Sequence, residues 1–130
     1  MDGSENMITP TEILLVALGG AIGAVLRFSV GQFVDSSQFP WATFTVNIIG
    51  SFMMAFIMFA YTGMSLETRL FLFTGLIGAF TTMSTFTLDT VGLFFDGRVW
   101  QAGLNFILNA GICVVGAIIG RYAGIFVAGL

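Results

Sequence analysis

Four hydroxyl side chains, Thr81, Thr82, Ser84 and Thr85, crowd into five positions of the stretch 75–86, GLIGAFTTMSTF, inside a long apolar run. Such hydroxyls offer hydrogen bonds that compete with the backbone ladder, and Gly75 and Gly78 weaken a helix further. The residues therefore predict a helix interrupted at membrane depth. Freed backbone there is tolerated only where it is buried in protein or lines a cavity, and freed carbonyls can coordinate a cation. Two more polar sets share the apolar background: Thr43, Asn47 and Ser51, with Gly50 beside them, and Gln101, Asn105 and Asn109. Each recurs every four residues and so follows one helix face. Polar side chains in the membrane are costly unless partnered, and they face a bundle interior or a wet cavity. As interhelical glue each hydrogen bond is worth roughly 0.6 kcal/mol. Two stripes plus a hydroxyl cluster exceed what four helices need for glue, which favours a polar conduit. Its amides, hydroxyls, backbone N–H groups and aromatic ring edges would present positive potential to an anion. Asp89, toward the end of the third apolar segment, is the one acid well inside such a segment, and its role is open.

The elements that must position these groups follow from composition. Of 130 residues, 57% are hydrophobic and 8% charged, with mean hydropathy +1.00. A membrane helix needs about 20 apolar residues, so the chain holds four spans and no soluble domain. The expected architecture is all-α, a single four-helix transmembrane domain over residues 1–130, with spans at about 10–33, 40–61, 66–95 and 98–126 and the interruption in the third. Thr9-Pro10-Thr11-Glu12 reads as a capping box with Pro10 at the first helical position, and Pro40 is expected to open the second span likewise. Gly63-Met64-Ser65 and Asp96-Gly97 mark turns, and the short loops make consecutive spans antiparallel. Gly19 and Gly23, and Gly116, Gly120 and Gly124, are spaced by four, the pattern that lets helix backbones approach closely. Residues 1 to about 8 are expected to be frayed. The acidic start lacks the basic region of a secretory signal, so the first segment is expected to remain as a span.

Charge and residue inventory exclude several functions. Four arginines, no lysine and a net charge of −3 leave nothing to track a phosphate backbone, so no nucleic-acid partner is expected. With no histidine and one cysteine, Cys113, placed in the core, there is no disulfide framework, no His/Cys metal site and no nucleophile–base pair of an enzyme. Along an alternating path Arg69 and Arg121 fall on one side and Arg27 and Arg98 on the other. Arginine bias normally sets orientation, and two against two gives none. Such a chain is free to insert both ways, and opposite copies can pair about a two-fold axis in the membrane plane.

On these residues the chain resembles the Fluc (CrcB-type) fluoride channel family, end to end. GGAIGAVLRF at 19–28 is similar to the family's first-span motif, VNIIGSF at 46–52 to its asparagine motif, and GLIGAFTTMSTF to its broken-helix motif. The resemblance implies passive, membrane-potential-driven export of toxic fluoride across the inner (plasma) membrane by a multi-pass protein. It implies an antiparallel dual-topology homodimer, held in membrane lipid, with two fluoride pores at the interface. A structural sodium ion on the two-fold axis is implied as well, held by the backbone carbonyls of Gly78 and Thr81. Asn47 matches the fluoride-contacting asparagine, Phe86 a phenylalanine whose ring edge lines the pore, and Thr43 and Ser84 polar pore positions. Arg27 matches an arginine of an electropositive vestibule. Two departures stand out: Met83 replaces the usual phenylalanine of TTFSTF, and Asn105 and Asn109 stand where the family often carries a tyrosine and a serine along a polar track.

Two other readings stay open. Met83 is compatible with a non-conducting subunit that serves only as a partner to a homologue. A proton-coupled small multidrug exporter, also four short spans, would need a carboxylate inside the first span, where only Glu12 is available, at the helix start.

Overall fold

The computed structural model describes residues 7–130. The fraying expected of residues 1 to about 8 falls, for 1–6, outside the described residues; Met7 and Ile8 are exposed and precede the first helix. Four helices are long and apolar enough to cross a membrane: α1 (Pro10–Phe33), α2 (Trp41–Ala60), α3 (Leu66–Phe95) and α4 (Val99–Ala128).

Local chemistry sets their ends. The Thr9 hydroxyl accepts the Glu12 N–H at 3.2 Å while the Thr9 N–H donates to Glu12 Oε2 at 3.3 Å, a complete capping box that satisfies two orphan donors. Pro40 is the cap residue of α2 rather than its first helical residue; the Ser36 hydroxyl accepts the Ala42 N–H at 2.9 Å and closes that end. In the same loop the Ser37 N–H donates to Asp35 at 2.9 Å, and bonds from Ser37 hold the exposed Asp35 carboxyl below its ordinary pKa. Ser65 caps α3 by accepting the Thr68 N–H. Gly97, at φ 80°, supplies the left-handed residue that turns the chain between α3 and α4. The Arg98 guanidinium donates to the Gln38 carbonyl, tying that turn to the α1–α2 loop.

Packing pairs helices that are not consecutive. A Cβ on Gly116, Gly120 or Gly124 would collide with Ile48, Phe52 or Phe56 respectively, so α2 and α4 advance together in steps of four and run parallel. Gly19 and Gly23 of α1 meet the carbonyls of Phe71 and Leu76 in the same way. A step of four in α1 is matched by five in α3, because residues Leu70–Ile77 form wider, π-helical turns. A second such segment, Ile107–Ile112, lies in α4. Gly75 is therefore a packing residue, its missing Cβ accommodating the Val16 carbonyl and Gly19, and the helix continues through Gly78 to Phe80.

At Thr81 (φ −84°, ψ 160°) and Thr82 (φ −148°, ψ 121°) the backbone is extended, and helix resumes at Met83. The first arm of α3 (66–80) packs on α1, and the second arm (Met83–Phe95) packs on the start of α4. The apolar interior is thin and includes Val46, Phe73, Ile77, Phe80, Phe86 and Cys113, while large apolar side chains cover much of the outside of α1 and α4. In lipid that outer surface is the ordinary solvent face, and close backbone packing rather than apolar burial holds the helices together.

Gly23→Val is expected to lower stability by about 1–3 kcal/mol, since its side chain must displace the Leu76 backbone. Gly92→Ala, whose added Cβ meets nothing within 4 Å, is expected to be neutral or to gain about 0.5–1 kcal/mol from helix propensity. Thermal unfolding of the detergent-solubilised variants checks both.

Candidate functional site

The two extended residues of α3 leave backbone groups without helical partners, and the site is built from what satisfies them. Asn47, in the first half of α2, lies opposite Thr82. Its Oδ1 accepts the Thr82 N–H at 2.8 Å and its Nδ2 donates to the Thr82 carbonyl at 3.0 Å. One carboxamide thus replaces a neighbouring peptide for both polar groups of one residue. The carbonyl of Ala79, freed at the end of the first arm, accepts from Arg27 Nε of α1 at 3.1 Å. The Ile77 carbonyl accepts both the N–H and the hydroxyl of Thr81, each at 3.1 Å. Thr82 caps the second arm, its hydroxyl accepting the Thr85 N–H at 3.2 Å and donating to the Thr85 hydroxyl at 3.1 Å. Among the described residues, no hydrogen bond reaches the carbonyls of Gly78 and Thr81.

From Asn47 the bonding continues into α4. The second N–H of Asn47 donates to Asn109 Oδ1 at 2.8 Å. Asn109 Nδ2 donates to the carbonyl and to Oδ1 of Asn105, at 3.0 and 3.1 Å, one turn earlier. Asn105, 0% exposed, donates through Nδ2 to the Thr90 hydroxyl at 2.9 Å, which in turn donates to the Phe86 carbonyl at 2.8 Å. Every buried side-chain nitrogen and oxygen among the described residues has a partner, as polar atoms at this depth require.

An open groove of about 620 Å³ runs along this network, lined by Asn47, Thr82, Met83, Phe86, Phe106 and Asn109 among others. The Phe86 ring is buried, its centroid 6.2 Å from that of Phe106. Met83 is 73% exposed at the rim, and Ser84 is exposed, its hydroxyl 3.5 Å from that of Thr82. Nearer the start of α2, a cavity of about 200 Å³ is lined by Arg27, Thr43, Val46, Thr82 and Thr85. Thr43 also borders a polar cavity of about 390 Å³ near the α1–α2 loop, together with Asp89 and Arg98.

The expected site residues therefore divide. Asn47, Asn105 and Asn109 join in one network, with Phe86 supplying its last acceptor. Thr43 stands apart: its hydroxyl donates to Asp89 at 3.0 Å, giving that acid a partner across 46 positions of sequence. Arg27 reaches the Ala79 carbonyl rather than the asparagines. Thr82, expected only as one of the four clustered hydroxyls, and Thr90, which was not singled out, are central to the geometry; Thr90 lies one turn beyond Phe86 on the same face, a spacing that could have marked it.

Electrostatically the interruption has two ends. The second arm begins beside the network and presents the positive end of a helix dipole, and the first arm ends at Thr81 with its negative end and unpaired carbonyls. An anion is favoured by the former and a cation by the latter.

Comparison with known proteins places the chain among named relatives. The family described as CrcB-like protein, Camphor Resistance (CrcB), matches residues 14–121. A protein of Geobacter sulfurreducens named fluoride-specific ion channel FluC is 41% identical over 124 residues, covering 91% of this chain and 97% of its own. One of the same name from Rhizobium johnstonii is 40% identical over 115 residues, covering 84% and 92%. Fluoride-specific ion channel FluC 1 of Methanosarcina acetivorans is 38% identical over 121 residues, covering 89% and 92%.

Asn47→Leu is expected to orphan both backbone groups of Thr82 and cost about 1–3 kcal/mol for each. Asn47→Asp keeps an acceptor for the Thr82 N–H but turns a carboxylate oxygen toward the Thr82 carbonyl and Asn109 Oδ1, so it should be destabilised as well. Melting in detergent reads both; parent-like stability would mean that Thr82 finds other partners.

Proposed function

The chain belongs to the CrcB-like family, and we propose that it is a fluoride-selective ion channel, not an enzyme, in the inner (plasma) membrane of its cell. It lets fluoride leave passively, down its electrochemical gradient, and so relieves fluoride toxicity. The observation that carries the reading is the Asn47 carboxamide bonded to Thr82, beside the positive end of the second arm of α3 and opening on the groove that holds Phe86. Fluoride is small and strongly hydrated, so a pore must replace its water with several close donors, and a narrow bore excludes chloride. Asn47 and the ring edge of Phe86 are the proposed contacts, with Ser84, Asn105 and Asn109 along the path and Met83 at its rim. Arg27 and Thr43, which share the 200 Å³ cavity, form the proposed vestibule.

The pore is completed by a second, oppositely inserted copy that closes the open groove, consistent with the even distribution of the four arginines. A structural sodium ion at that interface would be held by the carbonyls of Gly78 and Thr81, and their lack of hydrogen-bond donors fits that role. When bound, the ion would neutralise the negative end of the first arm. Glu12 is consumed in the capping box of α1, which leaves a proton-coupled exporter without its carboxylate. The exposure of Met83 where the family carries an aromatic ring favours one second reading, a subunit that conducts only with a homologous partner.

Fluoride efflux from liposomes containing the purified protein, followed by electrode beside a chloride control, is the test. Fast fluoride release without chloride release is expected, falling at least tenfold in Asn47→Asp. A silent parent protein with conduction appearing in Met83→Phe would establish the partner-subunit reading instead.

A further inference from the structure

The bonds from Thr82 to Phe86 run in one direction, and a single backbone group dictates it. The Thr82 N–H can only donate, so it must face the oxygen of Asn47. That turns both N–H groups of Asn47 toward acceptors, the Thr82 carbonyl and Asn109 Oδ1. Asn109 must then aim its own nitrogen at the two oxygens of Asn105, and Asn105 its nitrogen at the Thr90 hydroxyl. The Thr90 proton is left for the Phe86 carbonyl. In this state Asn47 has no free N–H, so it cannot donate to an anion without losing a bond.

We propose that the oxygen of Asn109 is an internal stand-in for the anion, and that Asn109, Asn105 and Thr90 form a relay that reverses when the anion arrives. The inference rests on the reading of Asn47 as the fluoride contact. As fluoride enters, Asn109 Oδ1 leaves the Asn47 N–H. A half-turn of the Asn109 carboxamide brings its Nδ2 to the same place, so Asn47 and Asn109 both donate to the ion. The half-turn sets Asn109 Oδ1 against both oxygens of Asn105; a half-turn of the Asn105 carboxamide replaces its Oδ1 there by a donating Nδ2, and the fixed Asn105 backbone carbonyl gives up its bond from Asn109, a cost that the two new bonds to the ion must offset. Asn105 Oδ1 then faces Thr90, whose hydroxyl can donate as well as accept and swings its proton from the Phe86 carbonyl to that oxygen. No covalent bond or proton transfer is involved, and the number of donors at the ion rises from none to two. Asn109 becomes an ion contact; Asn105, buried and one residue removed from Asn47, and Thr90 act through it as positioning residues.

The chain carries four asparagines, at 6, 47, 105 and 109, so the side-chain amides can be followed individually by NMR of the ¹⁵N-asparagine-labelled protein in nanodiscs. Titration with sodium fluoride, against sodium chloride, is expected to shift Asn47, Asn109 and Asn105 together with one saturation curve. Thr90→Val should uncouple Asn105 from the other two and slow fluoride efflux at saturating fluoride by about tenfold, and Thr90→Ser should restore the Asn105 response. A shift of Asn47 with Asn105 silent would overturn the relay and leave the channel reading standing. Silence of Asn47 itself would overturn the reading of Asn47 as the contact, and the relay with it.

Discussion

The structure depends on one exchange of hydrogen bonds: the carboxamide of Asn47 takes the place of a peptide group for Thr82. An interrupted helix inside a bilayer exposes donors and acceptors that no water can satisfy, each costing several kcal/mol. Asn47 is the side chain on α2 that offers an acceptor and a donor side by side at the right level. With both Thr82 groups paired, Thr81 and Thr82 can remain extended, and the two arms of α3 can direct opposite dipole ends toward the centre of the molecule. Arg27 performs the parallel service for the Ala79 carbonyl from the other side, so α1 and α2 together hold the interruption.

This exchange is useful only if the backbones lie close, which is where the glycines enter. Gly19, Gly23 and Gly75 press α1 onto the first arm of α3, and Gly116, Gly120 and Gly124 press α4 onto α2. The second contact brings Asn109 within hydrogen-bond reach of Asn47. Gly50, one turn from Asn47 on the C-terminal side, leaves room for the Thr81 methyl, which positions the extended residues against α2. Side chains at these places would separate the helices by more than a hydrogen bond can span, so close packing and polar pairing depend on each other.

How far the sequence announces this differs from group to group. Periodicity of four placed Thr43, Asn47 and Ser51 on one face, and Asn105 and Asn109 on another, but it carries no information on partners 35 or 62 positions away. Hence Asn47 was legible as an inward polar residue while its grip on Thr82 was not. The hydroxyl cluster was legible as a disturbance of the helix; which of its members turns inward was not, since Thr82 faces Asn47 while Ser84 is exposed. The glycine pattern announced close faces, yet the pairing of α1 with α3 and α2 with α4 follows from three-dimensional complementarity. The wide turns at Leu70–Ile77 leave no mark in an apolar run, and Asp89 acquires its partner Thr43 only once α2 and α3 are side by side.

An ion that is to pass must not be held, and the network suggests how a protein meets that demand. A cage of unpaired donors would bind a bare anion tightly, and it would also be unstable when empty, since each unpaired buried group costs about 1–3 kcal/mol. Here every buried side-chain nitrogen and oxygen among the described residues has at least one partner. On the proposed reading an arriving anion exchanges with an internal acceptor, and the gain is the difference between two hydrogen bonds rather than the whole of one. A net difference on the order of 1 kcal/mol for each exchange is small enough for the ion to leave again. On the proposed reading of this network as the ion pathway, the pairing that lets it survive empty in lipid also limits how firmly it can hold what passes through it.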